Sequence, residues 1–123
     1  MEIISTKEAP VAIGPYSQAI VSGNLIYTSG QIPINPASGN IEASDIAAQT
    51  EQVIKNLKAV LAASGSSLEK VVKTTCFLQH IQDFETFNSV YEKYFTVKPA
   101  RSCVEVAALP KGVLVEIEVI AEK

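Results

Sequence analysis

The sequence predicts an α+β fold, a mixed β-sheet with two helices packed on one face. Three observations lead there. Two stretches space their apolar residues three and four apart, which lines up one side of a helix. Five others alternate or run apolar over short lengths rich in β-branched side chains, the pattern of strands. The order of the two kinds is β-β-α-β-α-β-β, with a further short strand near Ile3, and it suits helices gathered on one side of a sheet.

Each element has its own signal. "AIVSGNLIYTSGQ" reads as two strands joined at Ser22-Gly23-Asn24, residues that tolerate tight-turn dihedrals, and "PINPASGN" after it is a Pro/Gly/Asn-rich loop. In "SDIAAQTEQVIKNLKAVLAASG", residues Ile46, Thr50, Val53, Ile54, Leu57 and Leu61 share a helical face; Ser44 is placed to cap the start and Gly65 to end it. "LEKVVKTTCFLQ" alternates as a central strand, with Val72, Thr74, Cys76 and Leu78 facing one way and Val71, Lys73, Thr75 and Phe77 the other. Helical spacing returns through Phe84, Phe87, Val90, Tyr91, Tyr94 and Phe95, with Asp83 as N-cap. The stretch "PARSCVEVAALPKGVLVEIEVIAEK" supplies the last two strands.

At 123 residues the chain is the size of one domain, spanning 1–123. Hydrophobic residues make up 47% and charged residues 19%, a globular balance, and no apolar run approaches the roughly 18 residues of a membrane span. The start "MEIISTKEAP" lacks the basic start and long apolar stretch of a secretory signal, so a reducing cytoplasm is expected, with Cys76 and Cys103 as free thiols. A net charge of −3 argues against nucleic acid as the main partner, because affinity for it comes from neutralising phosphates with Lys and Arg. A P-loop, a G-x-G-x-x-G turn and a nucleophile elbow are missing, and His80 stands alone without a second His or paired Cys at ligand spacing. A protein-bound metal or a His-based triad is not expected.

Two helices cover one face of such a sheet, yet "VVKTTCFL", "LIYTSG" and "VLVEIEVIA" carry apolar side chains on both. A second copy of the chain is the simplest cover, which predicts a symmetric homo-oligomer with sheets packed together. The last two strands pose a separate question, because Arg101, Cys103, Glu105, Glu116 and Glu118 are threaded through them. If those strands pair as an antiparallel hairpin through "AALPKG", one register brings Arg101 near Glu116 or Glu118 and the other does not. The guanidinium fork grips a carboxylate with two parallel hydrogen bonds, so an internal ion pair and a bound acid are both open. Tyr16, Ser29, Asn88 and Cys103 each have a bland reading too: a packed ring, a turn residue, a structural amide and a small core thiol.

Their arrangement narrows the choice. "IGPYSQA", "YTSGQIP", "FNSVYEKYF" and the C-terminal "PARSCVEVAALPKGVLVEIEVIA" together resemble the Rid family, the reactive-intermediate imine deaminases also called the YjgF family, over essentially the whole chain. The resemblance implies a chorismate mutase-like fold and a homotrimer whose sheets form an inner barrel, with three active sites in clefts between subunits. It implies hydrolysis of 2-imino acids such as 2-iminobutanoate and 2-iminopropanoate to 2-keto acids and ammonia, without metal or organic cofactor. Arg101 matches the carboxylate-binding arginine, and Glu116 the acid that positions or activates water. Tyr16, Ser29, Asn88 and Cys103 match residues lining the cleft, Cys103 through its backbone. Two features depart from the family pattern: a shorter join around Thr96–Lys98, and Ala108 where an arginine is usual. Other readings are a trimeric small-carboxylate-binding or regulatory protein without turnover, and a ribonuclease-type translation inhibitor, which the acidic balance disfavours.

Overall fold

The structure, a computed structural model, describes residues 1–123. Its strands are β1 (Glu2–Ile4), β2 (Ala19–Ser22), β3 (Leu25–Thr28), β4 (Val71–Leu78), β5 (Ala100–Glu105) and β6 (Val115–Glu122), and its helices are α1 (Ile46–Ala63) and α2 (Phe84–Tyr94). The six strands form one mixed sheet in the order β1-β2-β3-β6-β4-β5, so the expected α+β class holds. The short strand near Ile3 is present, pairing Ile3 with Ile20. No helix is long and apolar enough to cross a membrane.

β2 and β3 form the expected hairpin, turning through Gly23 at φ 60°, a left-handed conformation that costs glycine little. In α1 the whole predicted face is buried, and Val60 with it. The cap is Asp45 and not Ser44: the Asp45 carboxylate accepts from the Ala48 backbone N–H at 2.8 Å, because Asp45 is the residue directly before the first helical turn. Asp83 stands before α2 but caps nothing with its side chain, since a short 3₁₀ turn, Ile81–Asp83, leads the chain into the helix. That turn is held by the Glu105 carboxylate, which accepts from the Ile81 N–H at 2.8 Å.

β4 alternates as expected from Thr74 onward, but a bulge between Val71 and Lys73 shifts the register. Val71 is therefore buried in place of Val72. β4 is an interior strand, between β6 and β5.

The expected hairpin of the last two strands does not form. β5 runs parallel to β4, and β6 lies on β4's other side, antiparallel to both β4 and β3. The reason is α2: a helix joining two strands carries the chain back to the end where it began, so the second strand enters parallel to the first. β6 then fills the gap between β3 and β4.

The helices and one face of the sheet enclose a cluster of 23 buried apolar residues, including Ile26, Ile54, Leu57, Leu61, Leu78, Phe87 and Ile117. Each such side chain contributes roughly 1.5–3 kcal/mol on burial. The other face has no helix over it. Ile3 (64% exposed), Tyr27 (43%) and Val104 (45%) lie there, with Phe77 and Ile120 half-buried among Lys73, Thr75, Ser102, Glu116 and Glu118.

Candidate active site

Register decides where the site residues go. Arg101 stands opposite Thr74, and Cys103 opposite Cys76, so both share the helix-covered face with those buried residues. Glu116 stands opposite Phe77 and Glu118 opposite Thr75, one residue out of phase and therefore on the open face. The anticipated approach of Arg101 to Glu116 or Glu118 does not occur within one chain, because β4 separates the strands and the two charges point to opposite sides of the sheet. The polar residues named from the sequence accordingly fall into two groups.

The first group surrounds Arg101 at the β5 edge. Its Nη1 donates to the Asn88 side-chain carbonyl at 2.7 Å, and its Cζ lies 4.8 Å from the centre of the Tyr91 ring and 5.4 Å from that of Phe84. Phe84, Asn88 and Tyr91 occupy one face of α2 at i, i+4 and i+7 spacing, so a single helix supplies the whole cradle. Tyr91 is fixed in turn by a buried 2.8 Å hydrogen bond to Thr74 Oγ1 and by stacking on Phe95 at 4.4 Å. The recess here has a volume of about 340 Å³, with Glu92, Lys98 and Pro99 on its rim. A half-buried guanidinium whose only side-chain hydrogen bond goes to a neutral amide retains donors for an anion. The internal ion-pair reading of Arg101 therefore falls away. Cys103 lies two residues along the same strand face, half-buried.

The second group surrounds Glu116. A larger cavity of about 680 Å³ opens on the uncovered face, lined by Tyr16, Ser29, Gly30, Glu116, Glu118 and Lys111, with an apolar wall of Val11, Ile13, Ile32 and Ile34. Its walls are pinned by buried amides. Gln18 Nε2 donates to the Pro10 carbonyl at 2.7 Å, and Asn56 Nδ2 donates to the carbonyls of Ile32 and Ile34 at 3.1 and 2.9 Å. A backbone bridge between Gln31 and Ile117 sets Gly30 beside Glu116. Ser29 donates its hydroxyl to the Ser17 carbonyl at 2.5 Å, so within the chain it ties down the loop that carries Tyr16. The Tyr16 ring is exposed to the cavity. Burial holds the Glu116 carboxyl above the ordinary range, and the neighbouring Glu118 charge adds to the effect.

Sequence reasoning missed Gly30. A Cβ built there would stand 1.9 Å from Glu116 Oε2, so the carboxylate rests where any other residue would put its side chain. The "SG" dipeptide at a strand end marked a turn and could not reveal this approach, which depends on β6 lying beside β3. The aromatic cradle was legible in outline, since Asn88 sits in the apolar stripe between Phe84 and Tyr91.

A six-stranded sheet with two helices on one face, an arginine with donors to spare and a carboxyl of raised pKa define the class: a small α+β protein with two separate polar recesses. The family model described as Endoribonuclease L-PSP matches residues 6–123, and the chain belongs to that family, the one that the sequence resemblance names Rid or YjgF. It is 52% identical to the 2-iminobutanoate/2-iminopropanoate deaminase of Escherichia coli K12 over 122 residues, covering 96% of this chain and 94% of that one. It is 55% identical over 123 residues to a Lactococcus lactis protein provisionally named regulator AldR, covering 99% and 98%. Among solved structures, that of E. coli TdcF with bound serine superposes with a TM-score of 0.95 at 43% identity, covering 100% of this chain and 99% of that one.

Proposed function

We propose that the protein hydrolyses 2-imino acids, among them 2-iminobutanoate and 2-iminopropanoate, to 2-keto acids and ammonia, in clefts between the subunits of a cytoplasmic homotrimer. The observation that carries this reading is the split site: a guanidinium free to take an anion on one face, and a carboxyl of raised pKa in a cavity on the other. Neither half suffices alone. A symmetric assembly that packs the open face of one sheet against the edge of the next subunit would bring the Arg101 half of one protomer to the Glu116 half of its partner. The uncovered apolar side chains favour such packing. The likeness to an imine deaminase and to a protein that binds serine, itself a small amino acid, points to the same class of ligand.

The chemistry asks for little more. Arg101 grips the substrate carboxylate, with Asn88 and the two aromatic rings keeping the fork in place. The protonated imine carbon is already electrophilic. Glu116 takes a proton from water as the water oxygen bonds to that carbon and passes it to nitrogen; the C–N bond then breaks as the new hydroxyl gives its own proton to Glu116, leaving the keto C=O, and that proton departs with ammonia as ammonium. A carboxyl raised toward neutrality suits a group that must both accept and donate. Tyr16, Ser29 and the Cys103 backbone line the joined cleft.

The test couples a threonine dehydratase to the purified protein and traps the remaining imine with semicarbazide. Less semicarbazone and faster keto-acid release support hydrolysis. Calorimetric binding of 2-oxobutanoate with no acceleration of imine loss would favour instead the carboxylate receptor that the regulator name of one relative suggests. Ribonuclease activity, the sense of the family description, is opposed by the net charge of −3.

A further inference from the structure

The chain has two cysteines, and they are direct register partners across the parallel β4–β5 pair. Adjacent strands lie about 4.8 Å apart, inside the Cα separation of about 4.4–6.8 Å that a disulfide spans. Both are free thiols, but unequal ones: Cys76 is 0% exposed, whereas Cys103 is half-buried beside Arg101. Hydrogen bonding from Cys76, helped by the Arg101 charge and opposed by burial, lowers the Cys103 thiol to about 7. Cys76 Sγ donates to Thr74 Oγ1 at 3.8 Å, and the Cys103 thiol stands beside it on the same sheet face. A thiolate at Cys103 is the stronger acceptor, so Cys76 sits poised as its partner.

We propose that Cys103 and Cys76 form a dithiol site that hydroperoxides oxidise to an intrachain disulfide. The Cys103 thiolate attacks a peroxide oxygen; the O–O bond breaks, leaving a sulfenic acid at Cys103 and, for hydrogen peroxide, one water once the released hydroxide is protonated. The Cys76 sulfur then displaces the sulfenic oxygen, its proton leaves with that oxygen as a second water, and the S–S bond forms. Two thiols supply the two electrons that reduce one peroxide. Burial fixes the order of events, since only Cys103 can meet the oxidant. The same bond removes the proton Cys76 shares with Thr74, which holds the Tyr91 ring beneath Arg101. The thiol chemistry goes beyond imine hydrolysis and does not depend on it.

The experiment treats the full chain, pre-reduced and then freed of reductant, with hydrogen peroxide near neutral pH and follows intact mass and tryptic peptides. Wild type should lose about 2 Da per chain, with the Cys76 and Cys103 peptides joined and dithiothreitol restoring the mass. Cys76→Ala should instead gain about 16 or 32 Da as Cys103 stops at the sulfenic or sulfinic acid. Cys103→Ser should consume peroxide at least about tenfold more slowly, because the remaining thiol is shielded. Wild type that gains oxygen without losing 2 Da, or that links one chain to another on a non-reducing gel, would overturn the proposal. Peptide mapping of wild type alone decides the matter if either variant fails to fold.

Discussion

Replacing Gly30 with alanine isolates the position of one carboxylate from everything else in the protein. Gly30 does not adopt the left-handed backbone that resists side chains, so the backbone accepts alanine, and the three atoms nearest the added methyl all belong to the Glu116 side chain. Oε2 lies 1.9 Å from the new carbon, Cδ 2.8 Å and Cγ 3.0 Å. Ordinary contact begins near 3.4 Å, so the carboxylate oxygen must retreat by about 1.5 Å, a rotamer change that stability should barely register. Misplacing a reacting group by about 1 Å costs about 10²-fold in rate, so Gly30→Ala should lower imine hydrolysis by about that factor. Keto-acid binding at Arg101, which lies on the other face, should change little. The semicarbazide-trap rate, calorimetric binding of 2-oxobutanoate and a melting curve measure the three quantities. A cycle with Glu116→Ala sharpens the test. If Gly30 acts only by leaving room for Glu116, the second substitution should add nothing to the first. Full activity in Gly30→Ala, or additive losses in the double variant, would refute the reasoning.

Three further outcomes are expected. Arg101→Lys keeps the charge but loses the planar fork over Tyr91, so turnover should fall by about 10- to 100-fold, the worth of one charge-assisted hydrogen bond, with assembly unchanged; unimpaired turnover would leave Arg101 a structural role only. Glu116→Gln should cut turnover by about 10²-fold yet raise the melting temperature near pH 7. Because the folded carboxyl has the higher pKa, the wild type's stability is full below the ordinary Glu range and falls as pH rises through the raised value; the gap between the two proteins should therefore close in acid, and a gap constant with pH would contradict the buried-carboxyl account. Light scattering at micromolar concentration should give three chains per particle, and a monomer mass would remove the shared-cleft reading altogether.

The sequence by itself determined the elements and most of their faces. Alternation and helical spacing depend on neighbours along the chain, so α1's buried face, the β2–β3 hairpin and the fold class were legible before any strand was paired. Residue parity also placed Arg101 with Cys103 and, separately, Glu116 with Glu118. Only the tertiary structure decided how those pairs meet. A side-chain period of two fixes which face a residue takes but not which strand lies alongside, and one residue of register exchanges the faces. The α2 crossover set β5 parallel to β4, β6 entered between β3 and β4, and Arg101 and Glu116 were thereby sent to opposite sides of the sheet. Gly30 beneath Glu116 and Cys76 opposite Cys103 follow from that same strand order, which rests on contacts between residues far apart in the chain and so leaves no local mark in the sequence.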